Sequence, residues 1–186
     1  CKVTVLSKKA PRISVARQVA LYKARFNSEI SNGYITGCRL VDINGDGVYE
    51  FSVMEFDGAK TVYTIDTKNR IVKSGMDTVS ENDIYRTSKN KIIRKHGSGM
   101  GGVESKPSYM IWQYDSKTGT FRKIHEFAFK YDSQSYDYNY YVDGVQYSTY
   151  IEAIAKFRSY YKGETLREIE AEAIYKSIDD AYRHRK

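Results

Sequence analysis

No hydrophobic run in the sequence approaches the ~18 residues that a membrane-spanning helix needs, so no transmembrane segment is expected. There are two cysteines, Cys1 and Cys38, which leaves room for at most one internal disulfide and excludes a disulfide framework. The three histidines, His96, His125 and His184, share no metal-ligand spacing, which argues against a zinc site. No regular repeat and no linker interrupts the chain, so a single domain over residues 1–186 is expected. The glycine-rich stretch Gly97–Gly102 does not open a helix. It lacks the strand–loop–helix context of a phosphate cradle and reads as a hairpin loop.

Apolar residues make up 41% of the 186-residue chain, enough for one packed core and too much for global disorder. The net charge of +7 is unevenly spread. Residues 1–40 carry eight Lys/Arg and one acid, residues 41–85 nine acids and four bases, and residues 86–130 ten bases and three acids. The acidic block is therefore central. No helix carries a one-sided basic stripe, so nucleic acid is not the expected partner. An anionic polymer would require the two basic segments to share one face.

A cysteine at position 1 has three readings. It is the lipid-bearing residue of a processed bacterial lipoprotein, one half of a Cys1–Cys38 disulfide, or an arbitrary start accompanied by one buried thiol. The first two place the protein outside the cytoplasm.

After an N-terminal segment, residues 1–12, Val15, Val19, Tyr22 and Phe26 mark one face of a helix over 13–31. Ser14 is its cap and Asn32-Gly33 its stop. From Tyr34 the period changes to two. Strands are expected at 34–41, 48–56, 60–66, 70–74, 83–87, 91–95, 108–115 and 120–131, joined by short turns such as Asp57-Gly58 and Ser116–Gly119. Connections this short make an antiparallel β-meander over 34–147, because parallel pairing needs long crossovers. A helical part, 148–185, closes the chain. Thr149-x-x-Glu152 opens one helix and Thr165-x-x-Glu168 a second, with Leu166, Ile169, Ala173, Ser177, Ile178 and Ala181 on its face. The expected class is α+β, with one N-terminal and two C-terminal helices packed on the meander.

One motif carries chemistry. In Asp42-Ile43-Asn44-Gly45-Asp46-Gly47-Val48-Tyr49-Glu50, oxygen donors alternate: Asp42, Asn44, Asp46, the Val48 carbonyl and Glu50 stand at positions 1, 3, 5, 7 and 9. A tightly curled loop converges such donors on one centre, with Gly47 allowing the sharp turn. Calcium, a hard cation taking six to eight oxygens, fits that set. Three carboxylates this close repel one another unless a dication lies between them. One structural Ca2+ is therefore expected. Val53 stands where an EF-hand would place its bidentate glutamate, and the flanks read as strands.

The loop is similar to the inter-strand calcium loops of FG-GAP and integrin-type repeats. More broadly, Leu40–Phe51, the Gly97–Gly102 loop and the Tyr140–Gly144 turn resemble a group of secreted proteins and lipoproteins of Gram-positive bacteria, over about residues 15–160. The resemblance implies an extracytoplasmic, calcium-stabilised domain, secreted or lipid-anchored at the cell surface, and no particular activity.

The tyrosines 131, 136, 138, 140, 141 and 147, with Trp112, suit either a platform for sugars or peptides or a sheet face packed under helices. No catalytic constellation is legible. A non-catalytic module binding a protein or glycan is the leading expectation. The alternative is an extracytoplasmic hydrolase whose catalytic residues converge only in space, for which a cleft with two carboxylates about 5–10 Å apart would speak.

Overall fold

The computed structural model describes residues 12–57, 60–76, 84–96, 108–135, 137–169 and 173–185. Cys1, the loop 97–102, Gly58 of the expected Asp57-Gly58 turn and Tyr136 lie outside the described residues.

The protein is α+β, with an N-terminal helix, two C-terminal helices and two antiparallel sheets. In chain order the elements are α1 (Val15–Ser31), β1 (Ile35–Val41), β2 (Glu50–Glu55), β3 (Lys60–Ile65), β4 (Ile71–Lys73), β5 (Ile84–Thr87), β6 (Lys91–His96), β7 (Ser108–Asp115), β8 (Thr120–Asp132), β9 (Asp137–Val142), β10 (Val145–Tyr147), α2 (Tyr150–Ser159), β11 (Leu166–Ile169) and α3 (Ile178–Arg183). The chain divides into two compact units. Cys1–Ser80, Ser116–Thr120 and Ala171–Lys186 form the first, and Glu81–Asp115 and Phe121–Glu170 the second.

In the first unit, α1 begins where the Ser14 hydroxyl accepts the Arg17 N–H at 3.4 Å. Its buried stripe is Gln18, Val19, Tyr22 and Phe26. That stripe lies on the four-stranded meander β1-β2-β3-β4. Phe51 of β2 meets Tyr22 and Phe26 with ring centroids 4.9 and 5.2 Å away, and Phe26 also meets Tyr63 at 4.8 Å. Tyr22, Phe26 and Phe51 are fully buried; removing a side chain of this size from water stabilises by about 1.5–3 kcal/mol. The outer edge of β1 is covered by Tyr175, whose N–H and C=O bond Cys38 at 2.8 and 2.7 Å. Gly37 has no side chain because one would overlap Ile174. Ile178 and Ala181 of α3 complete this core.

The second unit is a seven-stranded sheet ordered β10-β9-β8-β7-β6-β5-β11. Helix α2 starts at the expected cap: the Thr149 hydroxyl accepts the Glu152 N–H at 3.2 Å. Its Ala153, Ile154 and Phe157 pack on Ile93, Ile111, Phe127, Tyr140 and Val142.

The C-terminal segment departs from the expected long helix. Leu166–Ile169 is a strand, paired antiparallel with β5 from Leu166↔Thr87 to Ile169↔Ile84. The helical preference of Leu, Arg and Glu amounts to tenths of a kcal/mol per residue, and here a ladder along β5 outweighs it. Two tertiary contacts fix the choice: Ser88 N–H donates to the Thr165 carbonyl at 2.9 Å, and Lys91 Nζ pairs with Glu164 at 2.7 Å. The last helix starts at Ser177, whose hydroxyl accepts the Asp180 N–H at 3.1 Å. Residues 137–147, left without strands by the sequence reading, form β9 and β10.

A single amphipathic helix would make Leu166 and Ile178 equivalent. Instead Ile178 is 2% exposed and Leu166 48% exposed. Ile178→Ala is expected to cost about 2–5 kcal/mol in urea denaturation, whereas Leu166→Ala should stay within about 0.5 kcal/mol.

Candidate metal centre

The proposed cation loop joins β1 to β2, and backbone N–H groups organise it. Asp42 accepts from Gly45 N–H at 2.8 Å through Oδ1 and from Gly47 N–H at 3.2 Å through Oδ2. Asn44 Oδ1 accepts the Asp46 N–H at 3.1 Å, and Asp46 Oδ1 the Val48 N–H at 2.8 Å. Each acid or amide thus folds back on a residue two to five places ahead, curling the loop as alternate donors require. Gly47, at φ 83°, takes the left-handed conformation that the turn needs.

Glu50 sits beneath the loop and is 1% exposed. Its Oε2 accepts the Ile43 N–H at 2.9 Å and its Oε1 the Thr64 hydroxyl at 3.3 Å. Burial pushes its carboxyl well above the usual range; the Asp46 and Asp42 charges add to the rise, while the Ile43 N–H and Thr64 oppose it. Among the described residues no cationic side chain pairs with it.

A carboxylate oxygen that accepts one hydrogen bond keeps acceptor capacity for a hard cation. Asp46 Oδ1, which accepts the Val48 N–H, is such an oxygen, and the Asn44 carbonyl oxygen keeps a lone pair in the same way. Among the described residues, however, no group of three or more His, Cys, Asp or Glu side chains is gathered closely enough to hold a metal ion. A cation held here would therefore need the Asn44 amide and the Val48 carbonyl besides the carboxylates. Asn44 is itself 8% exposed, and its Nδ2 has no hydrogen-bond partner.

One residue central to this site escaped the sequence reading. Gln18 of α1 is 1% exposed. Its Nε2 donates to the Ile13 and Gly47 carbonyls at 3.0 and 2.8 Å, and its Oε1 accepts the Tyr49 N–H at 2.8 Å. Tyr22, one turn on, donates its hydroxyl to the Tyr49 carbonyl at 2.7 Å. The signal was a glutamine inside the apolar stripe Val15–Val19–Tyr22.

The other candidates fall elsewhere. Cys38 is a free thiol, 2% exposed. Burial, with the Asp180 charge adding to it, pushes it to about 12, so it is no nucleophile at neutral pH. Trp112 does not join the tyrosines. It neighbours Ile111, which faces α2, so the strand pleat sends it to the opposite face. Tyr140 is buried, Tyr138 and Tyr147 pack at the edge of the α2 core, and Tyr131 is exposed. No described helix is long and apolar enough to cross a membrane.

His125 belongs to a small polar cluster. Asp143 Oδ2 takes hydrogen bonds from His125 Nδ1 at 2.8 Å and the Tyr160 hydroxyl at 2.9 Å, while the His125 and Tyr160 rings stack at 3.6 Å. Burial, with the Asp143 hydrogen bond and charge adding to it, pushes Tyr160 up to about 12, so it remains a donor. Burial alone would raise the Asp143 carboxyl. The Glu126 N–H, His125 and Tyr160 together outweigh burial and hold it below the ordinary aspartate value.

Comparison with protein-family models, curated proteins and solved structures finds no match.

Two predictions follow from these hydrogen bonds. Gln18→Leu keeps the bulk of the side chain and orphans three backbone partners. Thermal and urea melts should show a loss of roughly 2–4 kcal/mol. The depressed Asp143 carboxyl contributes stability that is present above the unfolded aspartate value near 3.9 and lost as pH falls through the lower folded value. Asp143→Asn, which tolerates the positive φ of 51° here, should flatten the acid limb of the stability–pH curve.

Proposed function

We propose that this chain is a non-catalytic, extracytoplasmic domain stabilised by one calcium ion in the loop Asp42–Glu50, and that it serves to bind a protein or a glycan. The observation that carries the calcium reading is the buried Glu50 carboxyl, which feels the charges of Asp46 and Asp42 and has no salt bridge to a cationic side chain among the described residues. A buried carboxylate is costly unless a charge compensates it or it takes up a proton. Calcium supplies that charge. Asp42, Asn44, Asp46 and the Val48 carbonyl would hold the ion, with Glu50 completing the charge balance from below.

The role is structural. The loop spans the turn between two paired strands, and a cation would fix it as a cross-link. The extracytoplasmic assignment is supported by the resemblance of Leu40–Phe51 to secreted and lipid-anchored proteins. It also suits the weak, millimolar-range affinity of extracellular calcium modules. A lipid on Cys1 would anchor such a domain at the cell surface.

Calcium is expected to raise the melting temperature. At a hundredfold excess over Kd the gain is about 2.7 kcal/mol. Differential scanning fluorimetry in chelator and in millimolar calcium reads it. Asp46→Ala should abolish the response, and Glu50→Gln should stabilise the chelated protein while weakening the response. Identical melting curves in chelator and calcium would overturn the reading.

A further inference from the structure

The first unit contains a cleft of about 390 Å³ near the end of the β1–β2 ladder away from the loop, lined by Arg25 and Glu29 of α1, Tyr34, Ile35, Val53, Glu55 and Tyr63. Val53 and Ile35 are buried apolar side chains, 2% and 6% exposed. Tyr34 on the rim is 71% exposed, and so is Phe56, at 81%, whose N–H bonds the Tyr34 carbonyl at 2.8 Å. A volume of this size admits one long side chain or a small ligand.

The charges inside the cleft do not balance. Arg25 is paired with Glu29 one turn ahead. Glu55 is half-buried, and its carboxylate accepts a hydrogen bond from the Thr61 hydroxyl at 3.0 Å. Among the described residues no cation pairs with it. Burial, together with the negative charge of Glu55, raises the Tyr63 hydroxyl, against the pull of Arg25. The cleft therefore carries two carboxylates against one guanidinium, between aromatic rings and an apolar floor.

We propose that this cleft binds a lysine side chain presented by a partner protein, its methylene stem lying against Tyr34 and Tyr63 and its ammonium on Glu55. An apolar stem with a cationic tip matches both halves of the cleft, since lysine buries its methylenes along apolar surface while its ammonium seeks a carboxylate. An anion would meet net negative charge. A neutral sugar would leave Glu55 unpaired. The inference names a partner chemistry for the binding role above and does not depend on calcium in the loop.

The test titrates Nα-acetyl-lysine methylamide into the ¹⁵N-labelled full chain, in chelator and again in millimolar calcium, so that failure of the calcium reading leaves this one readable. Amide shifts are expected to cluster at Ile35, Val53, Glu55 and Tyr63, with saturation in the millimolar range. The ε-acetylated analogue should bind about tenfold more weakly, as should the probe to Glu55→Gln. Tyr34→Ala, at an exposed position that should not disturb folding, should weaken binding severalfold. Shifts mapping elsewhere, equal binding of the ε-acetylated analogue, or unchanged affinity in Glu55→Gln and Tyr34→Ala would each overturn the proposal.

Discussion

The first unit depends on one buried amide. Gln18 occupies a position in α1 where the pattern calls for an apolar residue, and it uses its donors and its acceptor on backbone groups that no ladder serves. The segment between β1 and β2 has no regular partner for its N–H and C=O groups, and such groups are costly to bury unsatisfied. Gln18 serves Gly47 and Tyr49, Tyr22 serves the Tyr49 carbonyl, and Glu50 serves Ile43. These contacts frame the loop from the helix side and from below. The acidic side chains are then free to organise its interior through their own short turns. An apolar residue at 18 would leave those loop groups without these hydrogen bonds.

The parts of the fold legible in the sequence are those set by local chemistry. The Ser14 and Thr149 caps, the stripe of α1 and most strands have signals confined to a few neighbouring residues. The alternate acids of the loop are equally local, and the structure shows them as successive turns onto their own backbone. What the sequence did not disclose depends on distant partners. Leu166–Ile169 became a strand because β5 offered a ladder and Lys91 an anchor for Glu164, more than 70 positions away. The tyrosines of 137–147 are β formers in a polar stretch, and their inward face emerges only once β8 and α2 are in place. Likewise, a period of two marks strands without saying which of them pair, so the division into sheets of four and seven strands was not readable. Gln18 was readable in principle, as a polar interruption of an apolar stripe, but its two partners in the loop are 29 and 31 residues away.

The charge asymmetry of the sequence acquires a location. Asp42, Asp46, Glu50 and Glu55 from the central acidic block all lie on or beside the β1–β2 hairpin, opposite a helix whose lysine and arginines are largely exposed or engaged at the surface. Lys23 pairs with Asp179 and Arg25 with Glu29. These two helix bases are thus engaged with other acids, and among the described residues neither Glu50 nor Glu55 has a salt bridge to a protein cation. A carboxyl in that position either takes up a proton or waits for a charge from outside the chain.

Strand β2 decides which environment each of these two acids meets. Side chains alternate along it, so Phe51, Val53 and Glu55 face α1 while Glu50 and Ser52 face away. Its register runs from Val41↔Glu50 at the loop to Ile35↔Glu55 at the cleft, with an irregularity between Ile35 and Gly37. Phe51 and Val53, at 0% and 2% exposure, lock that register, because a slip of one residue would take both out of the core under α1 and onto the face that Glu50 and Ser52 occupy. The same slip would bring Glu50 to the α1 face and turn Glu55 to the opposite one. The core residues between them therefore do more than fill space. They hold one carboxyl under the loop and the other in the cleft, and the packing of Phe51 between Tyr22 and Phe26 is what keeps the two sites distinct.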